Sequence, residues 1–148
     1  MKLTLYTCLM FIATLASCND ADYKPLENTA FINESRTTQS SKVVITEKGA
    51  TAEITPTLSA PITEDCTLKL VIDTTLLSKY NEQQGTSYVA LPEKAFSMAK
   101  EVTIKAGNYS ADPVRININP LSEDMVGESY ALPIRLVSTN PNVPAMTQ

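Results

Sequence analysis

This 148-residue chain predicts an all-β fold, with two antiparallel sheets packed face to face and one short helix at about residues 74–83. Three observations carry that expectation. Five segments between residues 50 and 137 alternate apolar and polar residues with period two, the mark of half-buried strands. Turn-forming clusters, "EKGA", "APITED", "KAGNYSADP" and "NPLSEDMVGES", separate them. One stretch, "DTTLLSKYNEQQG", abandons the alternation for helical spacing.

The chain opens "MKLTLYTCLMFIATLASCND". Lys2 and the amino terminus are positive, and Leu3 to Ala16 is apolar. That run is shorter than the ~20 residues a membrane-spanning helix needs. Residues 1–17 therefore read as a secretory signal. "LASC" resembles the lipobox of bacterial lipoproteins, which implies that Cys18 is lipidated and becomes the first residue of the mature chain. The membrane partner is then reached through an N-terminal lipid anchor. Asn19, Asp20 and Asp22 resemble the acidic signal that sends Bacteroidetes lipoproteins to the outer face of the outer membrane.

Residues 18–41 read as a polar tether with a short strand around Ala30 to Ile32, and residues 42–140 as the sandwich. In "ATAEITPTLSA", Ala52, Ile54 and Leu58 oppose Glu53, Thr55 and Thr57. In "CTLKLVID", Cys66, Leu68, Leu70 and Ile72 form the apolar face. In "EVTIKAG" it is Val102, Ile104 and Ala106, and in "PVRININP" it is Val114, Ile116 and Ile118. In "YALPIRLV" it is Tyr130, Leu132, Ile134 and Leu136. One apolar face per strand is what two packed antiparallel sheets require. Short strands at this spacing suggest an immunoglobulin-like sandwich. Pro56 and Pro133 belong on edges or at bulges, because proline has no N–H for a ladder.

Leu76, Leu77 and Tyr80 give the helix one apolar side. Asp73 or Thr74 can cap its start, and Gly85 can close its end in the left-handed conformation. "TSYVALPEKAF" then returns as an extended arm, with Leu91 held extended by Pro92. Leu77, Tyr80, Tyr88, Leu91 and Phe96 are candidates to close one end of the core, and Asn81 to Gln84 are the polar face most suited to docking.

Composition excludes several functions. The net charge is −4, and the twelve Lys and Arg are scattered, so no nucleic-acid partner is expected. There is no histidine, which removes the usual general base and leaves Cys66 without an activating neighbour. Cys66 reads as a small core residue. Glu64 and Asp65 read as turn charges, and so do Glu123, Asp124 and Glu128, which lack the spacing of a calcium loop. No catalytic residue, metal or cofactor is expected. Tryptophan is absent. Of the tyrosines, Tyr109 in "AGNYSAD" and Tyr23 in the tether alone look free to meet a ligand, and Tyr109 is the candidate sugar contact.

"VIDTTLLSKYNEQQGTSYVALPEKAF", "VTIKAGNYSADPVRI" and "YALPIRLVS" together resemble a domain of unknown function. It stands at the N-terminus of many Bacteroidetes surface lipoproteins. The match runs through Asp73, Tyr80-Asn81, Gly85-Thr86, Tyr88, Leu91-Pro92, Ala106-Gly107 and Leu132-Pro133-Ile134, and covers roughly residues 28 to 140. The resemblance implies an immunoglobulin-like domain of a polysaccharide-utilisation system, preceding a glycoside-hydrolase-like or carbohydrate-binding domain. The expected function is a non-catalytic spacer or docking domain, whose partner is a glycan or a protein of a glycan-uptake system. The alternatives are a direct carbohydrate-binding module and the N-terminal part of a glycoside hydrolase. "DTT" resembles the acceptor of Bacteroidetes O-glycosylation, with Thr74 as the modified residue. Residues 141–148 read as an irregular end where a further strand and a partner domain are expected, and a truncated chain would leave an unpaired edge around Tyr130 to Val137.

Overall fold

A computed structural model describes residues 28–36 and 40–146. Cys18, Tyr23, the signal segment and most of the tether lie outside the described residues. In chain order the elements are β1 (Ala30–Ile32), β2 (Ala50–Ile54), β3 (Pro56–Leu58), β4 (Cys66–Ile72), α1 (Thr74–Gln84), β5 (Val89–Ala90), β6 (Phe96–Ser97), β7 (Glu101–Ile104), β8 (Val114–Ile118), β9 (Tyr130–Ala131) and β10 (Ile134–Ser138). Two antiparallel three-stranded sheets, β10-β4-β7 and β2-β8-β6, form the body, joined by an antiparallel β1-β3 pair and a short parallel β5-β9 pair. This is the expected all-β architecture with one helix.

The alternation places the core. In β4, Cys66, Leu68 and Leu70 are buried, while the alternate residues Lys69 and Val71 are exposed. In β8, Val114 and Ile116 are buried between exposed Arg115 and Asn117. Cys66, Leu68, Leu70 and Val114 join Ala30, Leu58, Ile104, Leu136 and Val143 in the principal cluster. Burying an aliphatic side chain of this size stabilises by about 1.5–3 kcal/mol before the entropy of ordering it is counted. Cys66 is fully buried, as a small core residue should be.

Two expected strands are divided by their prolines. "ATAEITPTLSA" is β2 followed by β3, and the two pair with different partners, β8 and β1. Pro56 begins β3 and supplies only its carbonyl, which accepts from Ala111 N–H at 3.0 Å. A proline at that step cannot extend the β2 ladder, so the chain changes sheet there. "YALPIRLV" is likewise β9 and β10 with Leu132-Pro133 between them. The Pro133 carbonyl accepts from Asp73 N–H at 3.0 Å.

The ordered body also extends beyond residues 42 and 140. Ala30 in β1 is fully buried, and its N–H and carbonyl bond Pro144 O and Met146 N at 2.9 and 2.8 Å. Val143 is buried in the principal cluster. A three-residue strand and a single valine carry no periodicity, which is why alternation does not reveal them. Conversely, residues 42–45 form no strand, and Val44 is 83% exposed. The chain reverses at Thr46–Gly49, where Gly49 has φ +82° and a Cβ would collide with the Ile118 carbonyl oxygen. Ala106, expected on an apolar face, is exposed in the turn after β7.

Candidate functional site

The stretch from Asp73 to Phe96 is the candidate site, because its residues are the unusual ones. Asp73 follows the last residue of β4 and caps α1. Its Oδ1 accepts from Thr75 N–H at 3.0 Å and from the Thr75 hydroxyl at 2.6 Å. Its Oδ2 accepts from Arg135 Nε at 2.8 Å. The Thr75 hydroxyl first, then the Thr75 N–H and Arg135, hold the Asp73 carboxyl below the usual carboxylate range. Asp73 thus ties the end of β4, the start of α1 and the start of β10 together. Of the two cap candidates, Asp73 serves. Thr74 follows as the first helical residue and is exposed.

Asn81 is the second hub. Its Nδ2 donates to the Tyr88 carbonyl at 2.9 Å. Its Oδ1 accepts from the Thr86 hydroxyl at 2.8 Å and from Tyr88 N–H at 3.1 Å. Its backbone carbonyl accepts from Thr86 N–H at 3.0 Å and from Gly85, which closes the helix at φ +64°. One side chain therefore staples the last helical turn to the returning arm. This corrects the reading of Asn81 as part of a docking face. Asn81 is partly buried and its amide is committed, and only Glu82, Gln83 and Gln84 remain exposed.

The arm is fixed from its other side. Val89 and Leu91 donate N–H to Ser129 O and Ala131 O, both at 2.9 Å. Leu91, Ala95 and Met125 form a second buried cluster, with Phe96, Ile118, Leu121, Tyr130 and Leu132 against it. Leu77 is buried, and the Tyr80 and Tyr88 rings lie 6.2 Å apart, tilted by 37°. The Tyr80 hydroxyl reaches Ser40 at 3.1 Å. The five residues expected to close one end of the core are thus all at least half-buried, with Leu91 and Phe96 in one cluster.

The remaining candidates lie apart from this element. Tyr109, in the turn after β7, is 58% exposed, while its carbonyl accepts from Leu58 N–H at 2.7 Å. Asp65 caps the same turn through Lys105 Nζ at 2.7 Å and Ala106 N–H at 3.0 Å. The Lys105 ammonium and the Ala106 N–H hold its carboxyl low. Asp124 is also held low, chiefly by the Ser122 hydroxyl. Among the described residues, no three acidic or thiol side chains converge to hold a metal. Two shallow grooves open on the surface. One, of about 280 Å³, lies between β10 and Asn140–Met146. The other, of about 360 Å³, lies among Asn28, Ile62, Glu64 and Asn142. Neither is lined by Asp73, Asn81 or Tyr109.

Sequence reasoning found Asp73 and Gly85 but missed Arg135 and the part played by Asn81. An asparagine four residues before a helix-ending glycine, followed by Thr and Tyr, is the signal that was there to read.

No curated protein matches the chain. Solved structures do. A two-domain protein of unknown function from Bacteroides fragilis superposes with a TM-score of 0.66 at 11% identity, over 84% of this chain and 43% of its own. A candidate carbohydrate binding protein from Bacteroides ovatus gives 0.58 at 22% identity, over 66% and 28%. EndoBT-3987 of Bacteroides thetaiotamicron, solved with Man5GlcNAc product, gives 0.52 at 20% identity, over 70% and 27%. These likenesses are of fold, and this chain spans less than half the length of each of those proteins. Residues 21–143 match the model of a family described as an N-terminal domain. The chain belongs to that family of N-terminal domains, the one its sequence resembles, and shares its fold with proteins of Bacteroides.

Proposed function

We propose that the chain is a non-catalytic accessory domain of an outer-membrane surface lipoprotein, anchored through Cys18, that spaces or docks a partner in glycan capture or processing. The observation that carries this reading is the commitment of the polar family residues. Asp73 accepts from Thr75, and Asn81 bonds Thr86 and the backbone of Tyr88, all within the fold. What the family pattern preserves in this chain is therefore an architecture. The glycan link rests on the family and on the carbohydrate-related neighbours. Every described strand and helix lies within residues 30–138, so residues 19–148 carry all of the described elements. That chain, tested on a glycan array, is expected to give no micromolar ligand. A micromolar ligand would remove the spacer reading. Replacing Cys18 with Ala should release the protein from the membrane fraction.

A second reading is favoured by one observation. Tyr109 presents an exposed ring on a turn pinned by Asp65 and Leu58, the kind of platform a sugar face stacks on. Direct carbohydrate binding requires that Tyr109→Ala abolish it. A third reading, the N-terminal part of a glycoside hydrolase, draws on the family's position ahead of other domains. Reading the gene beyond Gln148 tests it. Thr74, exposed beside Asp73, is the proposed O-glycan acceptor. Intact mass of the native protein and of Thr74→Ala, differing by a glycan, is the expected result.

A further inference from the structure

The outer edge of β2 is open over two residues. At both ends of this strand, odd-numbered residues turn their backbone groups away from β8. Gly49 exchanges hydrogen bonds with Thr46 at 2.9 and 3.1 Å. Thr55 accepts from Asn33 N–H at 3.0 Å and donates its own N–H to Glu34 Oε2 at 2.8 Å. By the alternation of a strand, Thr51 and Glu53 between them turn their groups the same way. Both residues are exposed, and among the described residues β2 pairs with β8 alone.

A segment of matching length adjoins that gap. The reversal at Thr46–Gly49 turns the chain antiparallel to β2, yet pairing stops after the single Thr46–Gly49 bridge. Residues 42–45, Lys-Val-Val-Ile, form no strand, and Val43 and Val44 are exposed. Their far end is held elsewhere: the Ser40 hydroxyl meets the Tyr80 hydroxyl of α1 at 3.1 Å.

We propose that residues 42–45 are a strap that closes onto β2 as an additional antiparallel strand. Continuing the existing bridge puts Ile45 opposite Ala50, Val44 opposite Thr51, Val43 opposite Ala52 and Lys42 opposite Glu53. The sequence fits this register on both faces. Val43 and Ile45 join half-buried Ala50 and Ala52 on the core side, whereas Lys42 and Val44 join exposed Thr51 and Glu53. Lys42 then faces Glu53, whose carboxylate already holds Arg115 at 3.0 Å. Val44 and Lys42 fall at hydrogen-bonded positions, so their N–H and carbonyl groups take up those of Thr51 and Glu53. A slip of one residue would turn Val43 and Ile45 to solvent and Lys42 to the core side. Closing the strap removes an edge that an extended segment of another protein could join, and opening restores it. The strap stands whether or not the domain serves glycan capture.

Amide exchange of the full chain, read residue by residue, tests it. Val44→Pro removes a donor and cannot join the ladder, so exchange at Thr51 and Glu53 should quicken about tenfold or more. Tyr80→Phe releases Ser40 and should slow exchange at the same two amides. Both effects should be independent of protein concentration. A second measurement fixes the register. Val43→Cys with Ala52→Cys should form a disulfide, identified by peptide mapping, about tenfold faster than the slipped pair Val44→Cys with Ala52→Cys. Exchange at Thr51 and Glu53 that Val44→Pro leaves unchanged, protection that grows with concentration, or equal rates for the two cysteine pairs would each overturn the proposal.

Discussion

The two ends of this molecule are held by different forces. The body around Cys66, Leu68, Ile104 and Leu136 is apolar and interchangeable in kind, since any side chain of similar volume fills the same space. The element from Asp73 to Phe96 buries Leu77, Leu91 and Ala95, but its polar residues set its path. It is positioned by a cap, an ion pair and one asparagine amide that makes three hydrogen bonds. The difference explains why the family pattern is concentrated in that element. A hydrogen-bonded staple needs one residue type at one position, whereas a packed strand needs only a pattern.

Breaking the body should have the largest effect. Leu68→Ala leaves a cavity beside fully buried Cys66 and Ile104 and should cost about 2–5 kcal/mol in denaturant unfolding. Asn81→Ala should cost less, about 1–3 kcal/mol, because it strands the Tyr88 carbonyl and N–H without removing apolar contact. Its signature is local: amide exchange should rise from Gly85 to Leu91 before the strands respond.

Asp73 gives a smaller effect with a defined pH dependence. Its folded pKa lies below the unfolded value, so its stabilisation is fully present above the unfolded pKa, about 3.9. It is lost as pH falls through the depressed folded value. Asp73→Asn keeps a capping oxygen but loses the pairing with Arg135. The variant should be less stable at neutral pH and should show a shallower loss on acidification between about pH 5 and 2. An unchanged acid slope would show that Asp73 does not carry this linkage. Tyr109→Ala should change stability by less than about 0.5 kcal/mol, since the ring is exposed and its turn is held through the backbone and Asp65.

The same contrast decides what could be read from sequence. The strands β4, β7 and β8 were legible because a buried face repeats every second residue. The helix ends were legible because Asp73 and Gly85 act on adjacent backbone. The divided strands at Pro56 and Pro133 were only half legible, since alternation continues across a proline while the ladder does not. β1 and Val143 were hidden, because three residues and one residue have no period. Arg135 and Asn81 were hidden for another reason. Arg135 pairs 62 positions away, where no local rule couples it to Asp73, and Asn81 reaches 5–7 positions past the helix end, signalled only by the glycine, threonine and tyrosine that follow it.

A double-mutant cycle on Asn81→Ala and Thr86→Ala, read by denaturant unfolding, tests most directly whether the family pattern is a structural staple. The Thr86 hydroxyl donates to Asn81 Oδ1 at 2.8 Å. The two losses should therefore be non-additive, with a coupling of about 0.5 kcal/mol or more. Additive losses would contradict the staple and return Asn81 to the surface as a residue free to bind something else.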